Sequence, residues 1–129
     1  MKATFLIIII IIGFLVRIYG IDWGLPSRDY YFSYHSDEVA YVRGLSRMSP
    51  EKLDFNPHFF RWGAGHFYEL GVVIGAAKIL GIVKLRKDKD FYYGHPEESA
   101  KIYLAGRFLS VFFALATIFL LYLLGKRIF

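Results

Sequence analysis

Two long stretches without a charged side chain bracket this sequence, and they constrain what it can fold into more than any other feature. Residues 108–124 carry only Ser110 and Thr117 as mild polar breaks, and residues 3–16 only Thr4. As helix, the C-terminal stretch is about 25 Å long; the N-terminal one, carried through Arg17 to Ile21, is about 28 Å. Both approach the thickness of a bilayer's hydrocarbon core, where a helix satisfies its own backbone N–H and C=O groups. Hydrophobic residues are 56% of the 129, more than a soluble core of this size requires. The expectation is an all-α membrane protein with two transmembrane helices, at about 3–21 and 102–125. They are joined by a long external loop, 22–101, that carries short interfacial helices.

A cleavable signal peptide competes for the N-terminal stretch, with Lys2 as its basic start. Large residues and Arg17 fill the expected cleavage zone, which favours an uncleaved anchor. Lys2 before the first span and Lys126 and Arg127 after the second put both ends in the cytoplasm by the positive-inside tendency. The loop is then extracytoplasmic, and the protein a multi-pass resident of the plasma membrane or endoplasmic reticulum. A third apolar stretch, 70–85, is interrupted by Lys78 and Lys84, and its longest clean run, 70–77, is too short to cross. Phe59, Phe60, Trp62, Phe67 and Tyr68 lead into it, so it is expected to lie at the interface against membrane lipid. A third full span is the alternative and would move the C-terminus outside.

Within the loop, Gly24, Pro26 and many aromatics suit an irregular segment. Ser36 reads as an N-cap, Asp37 and Glu38 as first-turn acids, and Val39, Val42, Leu45 and Met48 as an apolar stripe. Together they predict a helix near 37–48 that Pro50 ends. Asn56-Pro57 reads as the start of a helix near 57–85, broken by charged residues 86–90. His95-Pro96-Glu97-Glu98 resembles a further start, whose continuation becomes the second span.

The net charge of +5 does not signal nucleic acid, because the basic residues are scattered rather than gathered into one run. The absence of cysteine excludes disulfide frameworks and thiolate zinc sites. Of the four histidines, His66 can share a helix face with Glu69 and His35 lies beside Asp37. A metal site needs three or four converging ligands, which spacing does not supply, so no metal and no cofactor is assigned.

Three side chains stand out. Asp37 and Glu38 offer a carboxylate that can serve as general base if an acceptor hydroxyl is near. The plainer reading is that acids in a first helical turn complement the macrodipole, worth a few tenths to about 1 kcal/mol. Arg107 is a cation inside an apolar stretch, where it needs an anionic partner such as a lipid phosphate, or snorkels to the headgroups. Arg17 has the same choice, with snorkelling preferred. Gly71 and Gly75 form a small-xxx-small pair, which more often marks plain packing than a docking face.

In order along the chain stand Arg17-Ile18-Tyr19-Gly20, His35-Ser36-Asp37-Glu38, Asn56-Pro57-His58-Phe59-Phe60, Gly106-Arg107-Phe108-Leu109-Ser110 and Leu121-Tyr122-Leu123-Leu124-Gly125-Lys126-Arg127. Together they resemble the N-terminus of GT-C glycosyltransferases, nearest to the protein O-mannosyltransferase and aminoarabinose-transferase-like group. The resemblance covers essentially the whole chain and rests on the order of the motifs rather than on any one of them. It implies a polytopic enzyme that takes a sugar from a polyprenyl-phosphate carrier and passes it to a protein, lipid or glycan acceptor on the outer face. Asp37 then matches the acidic residue of the first external loop that deprotonates the acceptor, Glu38 orients it or the acceptor, and Arg107 binds the carrier phosphate. Ser36 stands where the family often has proline. Family members carry many more spans, so the chain is expected to be an N-terminal fragment, inactive without the remaining transmembrane helices. The rival expectation is a small non-enzymatic two-span protein that acts as a binding or assembly partner.

Overall fold

The computed structural model describes residues 3–59 and 63–128; Met1, Lys2, Phe60, Arg61, Trp62 and Phe129 lie outside the described residues. Among the described residues the chain is mostly helical and contains no strand. It runs α1 (Ala3–Ile18), α2 (Ser36–Leu45), a single 3-10 turn (Pro50–Lys52), α3 (Gly65–Ile79), α4 (Lys89–Gly94) and α5 (Pro96–Ile128). Two compact units emerge: Met1–Trp23 with Arg107–Phe129, and Gly24–Gly106.

The first unit pairs α1 with residues 107–128 of α5. Gly13 supplies the close approach: a Cβ there would meet Ile118 Cδ1 at 3.2 Å and Leu115 Cδ2 at 3.6 Å. Among the described residues, Leu6 and Val111 are the buried apolar side chains of this unit. Ile7, Ile11, Leu15 and Val16 on α1, and Phe112, Phe119, Leu120 and Leu124 on α5, remain exposed. So large a bare apolar surface is compatible with a membrane and equally with cover by another protein. Thr117 satisfies its hydroxyl internally, donating to the Phe113 carbonyl at 2.8 Å.

α5, at 33 residues, is long and apolar enough to cross a membrane, and it begins ahead of the expected 102. By length and composition it is the one described helix to pass that test; α1 is apolar but shorter. The sequence predicts helix through Ile21, yet α1 ends at Ile18 and spans about 24 Å. Gly20, at φ +72°, turns the chain out of the helix, and the Ile21 N–H bonds back to Ile18.

The second unit is built around Phe67, which is fully buried. Among the described residues, Leu70, Ile74, Val83, Ile102 and Tyr103 join it as buried hydrophobic side chains of this unit. α2 crosses α3 at Gly44, where an added Cβ would stand 3.0 Å from Phe67 Cζ, and Leu45 Cδ2 lies 3.5 Å from the Cβ position of Gly71. Tyr41 packs on the same ring with centroids 4.8 Å apart. Phe67 is therefore core rather than the interfacial anchor its aromatic neighbourhood suggests. Its helix α3 is apolar nearly all round, and the face toward α2 claims it. Of the other proposed anchors, Tyr68 is exposed, Phe59 is half-buried, and Phe60 and Trp62 lie outside the described residues.

Several boundaries move for identifiable reasons. Asn56-Pro57 does not open a helix. Asn56 Oδ1 accepts the His58 N–H at 2.9 Å, Asp54 Oδ1 accepts the Asn56 N–H at 3.0 Å, and His58 takes a left-handed φ of +49°. Those local side-chain bonds compete with helix, and α3 starts at Gly65. It stops at Ile79, ahead of the charged run, because Gly81 at φ +72° closes it. α2 likewise ends at Leu45, before Met48, and Pro50 opens the 3-10 turn instead. Within 86–94 a short helix forms, with Asp88 Oδ1 accepting the Asp90 N–H at 3.0 Å.

Candidate functional site

Asp37 and Glu38 fall in the first turn of α2, as the spacing predicts, but the cap is not Ser36. His35 occupies the N-cap position with extended backbone and no side-chain cap bond, and Ser36 is already helical. The junction is closed by Ser33 instead. Its hydroxyl accepts the His35 N–H at 3.1 Å and donates to Glu38 Oε2. In a capping box the acid at the third helical position reaches back to the N-cap N–H directly. Here one hydroxyl relays between the two, so Glu38 ties the loop 24–35 to the start of α2.

The relaying residue is buried. Ser33 is 3% exposed and Tyr103, from the first turns of α5, is 4% exposed. The Tyr103 hydroxyl lies beside the Ser33 backbone, within electrostatic reach of Glu38 and Arg43. Sequence reasoning missed Ser33 and Tyr103. The five-residue separation of Ser33 from Glu38 departs from the three of a capping box, and Tyr103 is distant along the chain. The one available signal was Ser33 itself, a hydroxyl two residues ahead of the N-cap.

The two acids are therefore used differently. Glu38 is half-buried and engaged, whereas Asp37 is exposed and accepts no hydrogen bond from another described residue. A carboxylate held at the start of a well-anchored helix, open on its outer side, has the geometry to receive a proton from an approaching hydroxyl. The same position lets it complement the α2 macrodipole.

Arg107 belongs to the other unit, where its guanidinium finds backbone partners. Its Nη1 donates to the Ile21 carbonyl at 2.5 Å and to the Trp23 carbonyl at 2.8 Å, in the turn that follows α1. These carbonyls lie past the end of α1, where helix geometry supplies no intrahelical donor. Arg107 thus pins the turn between α1 and the loop, a use that neither of the two sequence-based readings anticipates. Arg17 bonds within its own helix, Nη1 to the Gly13 carbonyl at 3.0 Å, with its side chain exposed.

Among the described residues no group of three or more His, Asp or Glu side chains could hold a metal ion. His66 lies 3.7 Å from Glu69 with the Tyr41 ring edge-on at 4.7 Å between centroids, a local pair rather than a ligand cluster. Of the small-residue pair, Gly71 faces Leu45 of α2 and Gly75 has no neighbour within 4 Å of its Cβ position. Compared with protein-family models, with curated proteins and with solved structures, the chain finds no match.

Proposed function

We propose that this chain is the N-terminal module of a membrane glycosyltransferase of GT-C type, using a polyprenyl-phosphate-linked sugar on the extracytoplasmic face. The observation that carries the reading is Asp37, an exposed carboxylate on a helix whose start is fixed by a buried hydroxyl relay, together with the ordered motifs it belongs to. Asp37 takes the proton of the acceptor as the acceptor oxygen or nitrogen bonds to the anomeric carbon. The bond from that carbon to the carrier phosphate breaks, the configuration inverts, and polyprenyl phosphate leaves. Arg107, its guanidinium direction set by two carbonyl bonds, supplies the charge that stabilises the leaving phosphate. Further transmembrane helices complete the donor and acceptor sites.

The test is transfer by the complete coding frame, expressed in membranes and supplied with polyprenyl-phosphate sugars. Asp37→Asn should remove turnover by a factor of roughly 100 or more while expression and folding hold. Wild-type turnover in that variant would reject Asp37 as the base. One observation favours a second reading, a non-enzymatic two-span protein serving as a binding or assembly partner: Glu38 is engaged in a structural cap. Under it no transfer appears with any donor, and Asp37→Asn leaves partner binding intact.

A further inference from the structure

The end of α3 carries the most exposed aliphatic cluster of the second unit. Ile79 is 87% exposed, Leu80 72% and Ile82 55%, all in four consecutive residues, while the next side chain, Val83, is buried. Tyr68, Val72 and Ala76 continue this bare face back along α3 at helical spacing.

The cluster is held in shape. Leu80 is the C-cap, Gly81 turns left-handed, its N–H bonds to the Lys78 carbonyl at 3.0 Å, and the Ile82 N–H bonds to the Ala77 carbonyl at 2.9 Å. That double closure is a Schellman motif, and it fixes where the flanking side chains point. From the far side, Glu98 Oε2 accepts the Lys84 N–H at 2.9 Å and anchors the return of the turn. Three aliphatics thus project from a rigid tip rather than from a loose loop.

Charge decides what covers it. Between Glu69 and Asp88 the chain carries four cations, Lys78, Lys84, Arg86 and Lys87, and no acid. Lys87 is taken up by Glu51 at 3.0 Å and the Arg86 guanidinium stands 5.6 Å from the Phe91 ring centre, whereas Lys78, within electrostatic reach of Glu51, and Lys84, within reach of Glu98, form no ion pair among the described residues, flank the tip and are exposed. Apolar side chains fringed by cations match a surface that is greasy beneath and negative on top.

We infer that residues 79–82 are a wedge that enters the headgroup layer of a bilayer containing anionic lipid, with Lys78 and Lys84 on the lipid phosphates. The inference needs the chain to reside in a membrane but is independent of sugar transfer.

Because the chain has no cysteine, a single one can be labelled cleanly. Leu80→Cys, carrying an environment-sensitive fluorophore, is reconstituted as the full chain into phosphatidylcholine vesicles with and without phosphatidylglycerol. Ser27→Cys, on an exposed loop position, is the control, and resistance to alkaline extraction certifies that the chain is membrane-integrated. The expected result is blue-shifted emission at position 80, quenched by brominated acyl chains and strengthened by phosphatidylglycerol, with position 27 water-like. Neutralising Lys78 and Lys84 together should lower the inserted-to-solvated ratio by roughly fivefold for each charge removed. Water-like emission at position 80 on an integrated chain would overturn the proposal. So would a blue shift insensitive to both lipid charge and brominated lipid, which would put protein against the tip.

Discussion

At the scale of single residues, Gly44 and Ser33 do the most to set the site. Gly44 lets the Phe67 ring lie against the backbone of α2, and any Cβ there collides with a fully buried ring that has no room to retreat. Gly44→Ala should destabilise the second unit by about 1–3 kcal/mol through overpacking, read as a lowered thermal midpoint in detergent micelles. A second substitution, Phe67→Leu, should recover part of that loss by vacating the contested volume. An unchanged midpoint for Gly44→Ala would mean that α2 and α3 do not meet there. The sequence singles out Gly71 and Gly75 instead, because spacing flags pairs of small residues on one helix and is blind to a lone glycine opposite an aromatic ring. Asp37 and Glu38 are legible as first-turn acids, but which of them is left open to solvent depends on Ser33.

At the scale of elements, the turn 80–84 and the start of α5 are held together by one carboxylate. Glu98 is 5% exposed and lies ahead of the apolar stretch of its helix. The Lys101 ammonium, bonded at 2.6 Å, and the Lys84 N–H hold its carboxyl below the ordinary 4.5, outweighing the cost of burial. A carboxyl depressed in the folded state contributes stability that is present above the unfolded value and is lost as pH falls through the folded one. The protection factors of the amides at 82–84, with the intrinsic pH dependence of exchange divided out, should therefore stay high at neutral pH and fall progressively as pH drops below about 4.5. Glu98→Gln should flatten that acid response; an identical profile in the variant would assign the acid loosening to another group. Glu51, paired with Lys87 at 3.0 Å, is depressed in the same sense, but the pair is exposed and screened, so its share is small. Helix starts are legible at α2 and α5, where first-turn acids mark them. The signal misleads at α3, where Asn56 commits its side chain to a local turn.

At the scale of the whole molecule, α5 and α1 are the helices that could meet lipid. α5 qualifies by length and composition, and α1, although shorter, exposes the same kind of surface. Single cysteines at Thr4, Ser46 and Lys126 separate the possibilities. Two crossings with both ends inside predict that an impermeant maleimide labels position 46 on intact cells, and positions 4 and 126 only after permeabilisation. Labelling of position 4 on intact cells would leave α5 as the single crossing.

The helical class, the apolar character of α1 and α5, and the first-turn position of Asp37 and Glu38 are all legible from the order of residues alone. Hydropathy, helical periodicity and capping chemistry act over a few neighbouring residues and need no knowledge of what packs where. Packing alone shows that Phe67 is core, that Ser33 engages Glu38 with Tyr103 beside it, that Arg107 pins the turn after α1, and that residues 79–82 stand bare. Each of these depends on contacts between distant parts of the chain or on a backbone angle at a single glycine. Such contacts follow from how close two backbones come, a quantity that no local pattern of residues encodes.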